Sequence, residues 1–383
     1  QEAPHTRGGV ILTSIIYVGM DVHTTNYTLC CYSMEDDRFF AEVQVEPDAK
    51  NILKYLARIE KQQSRDCRIV CGYEAGCLGY SLYHQLHAHG IDCVILAPTT
   101  MMTKPGKRIK TDRRDARLIS KCLAFHTYSP VYIPTEVDDA VKEYIRMRDD
   151  ANSALARVKQ QIIAFCIRHG KIHDGKSYWT NKHLEWLSSL DLGNKILSEV
   201  LQEYLIRYYQ LREQVDMYDM RINELAQAEP YRQKVEKLGC FRGIAAHTAL
   251  PFCVEVGDFR RFATAQQFAS YLGLVPGECS SGDKQQYTGI TKAGNSHLRK
   301  LLVETAQVFG RSATKSGKSV ALKERQAKCD SLTVAYADKA NARLKKKYFK
   351  IVMRSKVNIA KTAVAREMAC FIWGMMTDNI SCA

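Results

Sequence analysis

Ile15-Ile16-Tyr17-Val18-Gly19-Met20-Asp21-Val22-His23 is the stretch on which the fold turns. It is rich in β-branched and aromatic side chains, interrupted by one glycine, and it runs straight into a carboxylate. The apolar run is too short to cross a bilayer, and Asp21 follows it at once. It therefore reads as a strand, not as a signal peptide or membrane segment. An acidic side chain ending a predominantly apolar strand needs a partner, so Asp21 is the first candidate functional residue.

Outward from this strand, residues 27–33 and 38–45 repeat the pattern across short polar turns. Residues 49–62 carry helical spacing at Ile52, Leu53, Leu56 and Ile59. A strand at 68–73 ends on Glu74, a helix at 78–89 stops at Gly90, and 91–96 is a further strand. A basic loop, 101–110, leads into a helix at 111–125. Three hairpin-connected strands followed by strand–helix alternation predict a mixed sheet with helices on its faces, an order shared with the ribonuclease-H-like fold. Residues 1–8 show no such pattern and read as an unstructured leader.

Beyond residue 137 the pattern becomes helical and charged. Long amphipathic runs at 137–170 and 195–228 flank a turn at 171–194 and fit either a coiled-coil arm or a helical bundle packed on one domain. Pro230 marks a boundary. Short helices follow at 235–238 and 244–250 around a glycine-containing turn, with Pro251 expected to end the second. A helix at 266–272, a glycine-rich loop at 273–292 and a helix at 295–309 come next. The remainder is strongly basic, with Arg343-Leu344-Lys345-Lys346-Lys347, and closes on an apolar helix at 363–376.

Fifty-five Lys+Arg against 41 Asp+Glu leave a net charge of +14, which favours a polyanionic partner, nucleic acid above all. The 14 cysteines lie mostly in apolar runs with no CxxC pair, so they read as reduced, cytoplasmic thiols, not as a disulfide framework or zinc site. No stretch is apolar for long enough to suggest a membrane span.

Four carboxylates fall where this sheet would gather them: Asp21 and Glu74 at strand ends, and Asp112 and Asp115 three apart on one face at the start of a helix. Oxygen ligands of this kind suit Mg²⁺, and two such ions can clamp both oxygens of a phosphoryl transfer. Lys104, Lys107, Arg108, Lys110, Arg113, Arg114 and Arg117 crowd beside them, as a loop holding a phosphate backbone would require. Each member alone has a plainer reading: a salt-bridged face for Asp112 and Asp115, a helix cap for Glu74.

Gly19-Met20-Asp21-Val22-His23, Tyr73-Glu74-Ala75 and Lys110-Thr111-Asp112-Arg113-Arg114-Asp115-Ala116 resemble the three motifs of DEDD-type insertion-sequence transposases, now described as bridge-RNA-guided recombinases with a RuvC-like domain. FATAQQFASYLGLVP at 262–276, Ser280-Ser281-Gly282 and GITKAGNSHLR at 289–299 resemble the transposase domain of that family. The resemblance covers roughly residues 15–310. It implies a RuvC-like metal domain at 13–135, a coiled-coil arm at 136–230, a transposase domain with a serine loop at 231–320 and a basic helical tail at 321–383. It implies Mg²⁺ on Asp21, Glu74, Asp112 and Asp115, and Ser281 attacking DNA to form a covalent serine–DNA intermediate, with Ser280 in reserve. Lys284, Lys292 and Arg299 are expected near the phosphate. The implied partners are a bridge RNA pairing with target and donor double-stranded DNA, and a homodimer that pairs into a homotetramer at the bacterial nucleoid. The family's hairpin before the transposase core is altered here to Leu238-Gly239-Cys240-Phe241-Arg242-Gly243-Ile244. Two other readings use the same residues: a metal-dependent nuclease or Holliday-junction resolvase with water as nucleophile, and an architectural nucleic-acid-binding protein with structural carboxylates.

Overall fold

The computed structural model describes residues 14–63, 67–101, 111–278, 287–311 and 317–380, which fall into two compact units divided between Ile133 and Pro134. The first is built on a five-stranded mixed sheet. Its strands are β1 (Ser14–Val22), β2 (Tyr27–Ser33), β3 (Arg38–Val45), β4 (Cys67–Glu74) and β5 (Asp92–Leu96), in the order β3-β2-β1-β4-β5. β1 lies at the centre, antiparallel to β2 and parallel to β4.

The near-continuous apolar character of β1 follows from burial on both faces. Ile16, Val18 and Met20 join a core with helices α1 (Ala49–Gln62) and α2 (Ser81–Ala88). Tyr17 faces the other way, into a core with α3 (Asp112–Ala124). Helix α1 starts where its spacing predicts, with the Asp48 side chain accepting from the Lys50 amide. α3 presents Ala116, Ile119, Cys122 and Leu123 to the sheet.

The second unit is helical. Helices α4 (Glu136–Arg168) and α6 (Lys195–Gln227) are each 33 residues long. Thr135 and Asn194 cap their N-termini by accepting amide hydrogen bonds. They pack antiparallel: Tyr144 meets Tyr218 near one end and Phe165 meets Tyr204 near the other. The segment between them, read as a turn on sequence, contains a short helix, α5 (Asn181–Ser188), whose Leu184 and Leu187 bury against α4 and α6. Trp179 stacks on Tyr208 at 5.0 Å there, under the Lys159 ammonium.

At the other end, α4 and α6 enter a large core through Val141, Ile145, Ile222 and Ala226. That core gathers α7 (Arg232–Gly239), α8 (Ala246–Val256), α9 (Ala265–Tyr271), α10 (Ser296–Arg311), α12 (Ser331–Val352) and α13 (Val357–Met376), with Ile290 of the hairpin β6 (Pro276–Glu278) and β7 (Tyr287–Ile290) packed against it; α11 (Val320–Gln326) is tied to α7 by Arg325, which donates to the Gly239 carbonyl. Two expectations change, and the helical tail gains a position. Pro251 lies inside α8 instead of ending it, because its fully buried neighbours hold the helix through the lost hydrogen bond. The glycine-rich loop carries a two-stranded hairpin. The basic remainder forms helices fastened to the core, with Ala337, Ala340 and Leu344 of α12 packed with Val364, Ala365 and Met368 of α13. Among the described residues the cysteines are all free thiols, and no helix is long and apolar enough to cross a membrane.

Candidate metal centre

The centre begins with a glycine. A Cβ at position 19 would stand 2.0 Å from the Ala116 carbonyl oxygen and 2.4 Å from the Ser120 amide, so β1 and α3 touch backbone to backbone. That approach lays the first turn of α3 beside the last residues of β1. Asp112 and Asp115 continue the sheet-facing stripe of α3. Asp21 points toward the same side, two residues beyond Gly19 on an extended strand.

Side-chain atoms of Asp21, His23 and Asp112 lie within 4.8 Å of one another, a group able to hold a metal ion. Asp115 joins the electrostatics of Asp21. Burial raises the Asp21 carboxyl above its usual range; His23 opposes the rise, while the charges of Asp115 and Asp112 add to it. The His23 Nε2 lies 3.2 Å from Asp21 Oδ1. Only 14% of the Asp21 side chain is exposed. Like charges crowded at a largely buried carboxylate are what a divalent cation relieves, and the carboxylate oxygens are the donors that a hard cation takes.

Glu74 stands apart from that group. It follows Tyr73, the register partner of Met20, and so closes β4 beside the end of β1. The alternation of β4 gives it the same face as Gly72, which abuts Leu123 of α3. Its side chain is exposed and outside mutual reach of Asp21, His23 and Asp112. His23, absent from the carboxylate set read on sequence, does have a local signal, since i and i+2 on an extended segment share a face.

The basic residues divide. Arg113 and Arg117 reach Glu42 on β3, at 3.3 and 2.6 Å. Arg114 is exposed on α3. Lys104, Lys107, Arg108 and Lys110 lie outside the described residues, as do Ser280, Ser281 and Lys284. The structure does describe the two ends of the segment that carries this serine pair. Gly273 and Gly294 both have positive φ, and a Cβ on either would meet the opposite backbone at 2.1 or 2.0 Å. Arg299 donates from Nη1 to the carbonyls of Leu272 and Ala293, at 2.9 and 3.0 Å, tying those ends together. Lys292 is exposed at a positive φ, its amide donating to Gly273.

Beside Arg299, His297 bridges two carboxylates. Its Nε2 donates to Asp149 of α4 at 2.9 Å and its Nδ1 to the buried Glu255 of α8. Burial opposes the imidazolium, but these hydrogen bonds outweigh it and push its pKa up to about 9. Asn295 donates to the second Glu255 oxygen at 2.6 Å. Arg148 joins Asp149 to Asp219 of α6. No local sequence pattern marks this network; only the tertiary fold assembles it.

Two family models match the chain. One, for DEDD transposases of the IS110 type, covers residues 18–167, and one described as Transposase IS116/IS110/IS902 family covers 236–324. A Leptospira borgpetersenii protein, the transposase for insertion sequence element IS1533, is 32% identical over 87% of this chain and 95% of its own length. The chain belongs to the IS110/IS116 family of DEDD transposases. A Sinorhizobium fredii protein provisionally named transposase y4qE is 36% identical over 80% of this chain and 75% of its own. The Coxiella burnetii transposase for insertion sequence element IS1111A is 24% identical over 84% and 83%. As an IS110-family transposase, the chain is a DNA-processing enzyme. Asp21, Glu74, Asp112 and Asp115 fall in the first matched region, and the serine pair in the second.

Proposed function

We propose that this transposase is an RNA-guided DNA recombinase of its insertion sequence, cutting and exchanging strands through a covalent serine–DNA intermediate at a Mg²⁺-dependent site. The observation that carries the metal reading is the convergence of Asp21, His23 and Asp112, with Asp115 alongside, at the end of the central strand. The strand order, with β1 flanked by antiparallel β2 and parallel β4, supports a RuvC-like, ribonuclease-H-like reading of the first unit. The antiparallel α4–α6 pair supports a coiled-coil arm.

Asp21 and Asp112 would supply the oxygens that hold the cation, with Asp115 beside them, and His23 would fix the Asp21 carboxylate by its hydrogen bond; the exposed Glu74 would join the set only by swinging its side chain toward them. A divalent cation supplies activation of the attacking oxygen and neutralisation of charge on the scissile phosphate. In the step itself, the Ser281 Oγ forms a bond to phosphorus, one phosphodiester P–O bond breaks, and the serine proton ends on the leaving hydroxyl. Ser280 is the reserve. The basic loop at 104–110, with Arg113, Arg114, Lys284, Lys292 and Arg299, would hold phosphates or the loop that meets them. A bridge RNA would pair with target and donor DNA, and dimers would pair into a tetramer acting in the cytoplasm at the nucleoid.

Trapping tests the reading. The transposase is incubated with Mg²⁺, guide RNA and both DNAs, denatured, and examined for a protein–DNA adduct. The adduct is expected with the wild type and absent in Ser281→Ala and Asp21→Asn. Normal cleavage by Ser281→Ala and Ser280→Ala, without an adduct, would transfer the chemistry to water and overturn the serine step.

A further inference from the structure

We propose that the outward face of α12 is a docking surface for double-stranded DNA, formed by Lys339, Arg343, Lys346 and Lys350. This deepens the transposase reading and rests on it. The four cations recur at spacings of four, three and four, which place them on one helical face, and all are exposed. Eleven residues at ~1.5 Å rise give a row about 16 Å long. The face lies beyond both regions that match the family models.

Four observations favour a phosphate backbone as its occupant. The opposite face of α12 is anchored: Ala337, Ala340 and Leu344 are fully buried, so the cations stand on a fixed helix and little ordering cost attends binding. The face lacks counter-charge of its own. Asp338 is the one acidic residue of α12, and it is taken by Lys318 at 2.5 Å and Gln326 at 3.0 Å. From the neighbouring α13, Glu367 binds Arg343 and Lys347, which leaves Lys339, Lys346 and Lys350 without an ion-pair partner among the described residues. Between the cations the exposed side chain is Ala342, small enough for the helix to approach a backbone closely. Three lysines and no exposed amide or aromatic group suit sequence-independent phosphate contact in preference to base reading.

The test uses the full chain carrying Lys339→Gln, Lys346→Gln and Lys350→Gln together, with fluorescence anisotropy on a labelled DNA duplex across a salt series. Three lost phosphate contacts should make the slope of log K against log salt shallower by roughly 2.7. The loss should be the same for duplexes of unrelated sequence, with an unchanged circular dichroism spectrum. A charge-matched control, Lys50→Gln, Lys54→Gln and Lys61→Gln on α1, should keep the wild-type slope. An unchanged slope in the α12 variant, an equal loss in the α1 control, or a loss confined to an RNA duplex would each overturn the proposal. Asp21→Asn separates the two readings: it should bind DNA with the wild-type slope while failing to cleave it. If Asp21→Asn cleaves normally, the metal reading falls whatever α12 does.

Discussion

A methyl group at position 19 would press into the backbone of α3 at Ala116 and Ser120. Gly19→Ala should therefore lift α3 from β1, costing about 1–3 kcal/mol, and carry Asp112 away from Asp21. Thermal melts read the first effect and calorimetric Mg²⁺ titration the second; wild-type metal affinity in this variant would break the link between glycine and site. Asp21→Asn should behave oppositely in stability. Its carboxyl is raised by burial and by its like-charged neighbours, so removing the charge should leave the melting temperature equal or higher while strand cleavage is lost. At His297 the sign runs the other way. Its pKa rises from an unfolded value near ~6.5 to about 9 on folding, so the stability it adds is full below ~6.5 and disappears as pH climbs through about 9. His297→Gln should lose on the order of 2–3 kcal/mol at about pH 6, with a gap that narrows steadily toward about pH 9.5 in urea melts. A gap independent of pH would mean that the imidazole is held neutral.

Elements were legible where one local rule dominates. The α4 and α6 runs are specified by apolar spacing and by the Thr135 and Asn194 caps, and β1 by an apolar run buried on both faces. The end of helix α8 was not, because burial of residues 248–254 outweighs the breaker signal of Pro251. The hairpin β6–β7 hides in a glycine-rich stretch, because its register depends on contacts between residues far apart in sequence, Tyr271 with Asn295 and Gly273 with Lys292. Arg299 closes that base, so Arg299→Ala should release two charge-assisted hydrogen bonds. Amide exchange at Thr291, Lys292 and Asn295 should then speed up by about tenfold or more. Unchanged exchange there would show that the two glycine crossings hold the base without it.

At the scale of the molecule, each unit has its own cores: two around the sheet, and two among the helices. Calorimetry should resolve two unfolding transitions. Saturating Mg²⁺, at ~100 times its dissociation constant, should stabilise the unit holding Asp21 by about 2.7 kcal/mol and leave the other unmoved. A common shift of both transitions would contradict a site confined to the first unit. The +14 charge announced a polyanion from composition alone, but composition could not say where the charge lies. The tertiary structure fastens the basic C-terminal stretch to a core and leaves one row of its cations outward. The sequence by itself determined the order of strands and helices in the first unit, the acidic residues at strand and helix ends, and the sign of the partner, because periodicity and charge are local and additive. Only the tertiary structure decided that Asp112 stands with Asp21, that Glu74 remains outside their reach and that Glu255 and Asp149 share one imidazole. Those facts depend on which backbones approach closely, and such approaches join residues that no local pattern connects.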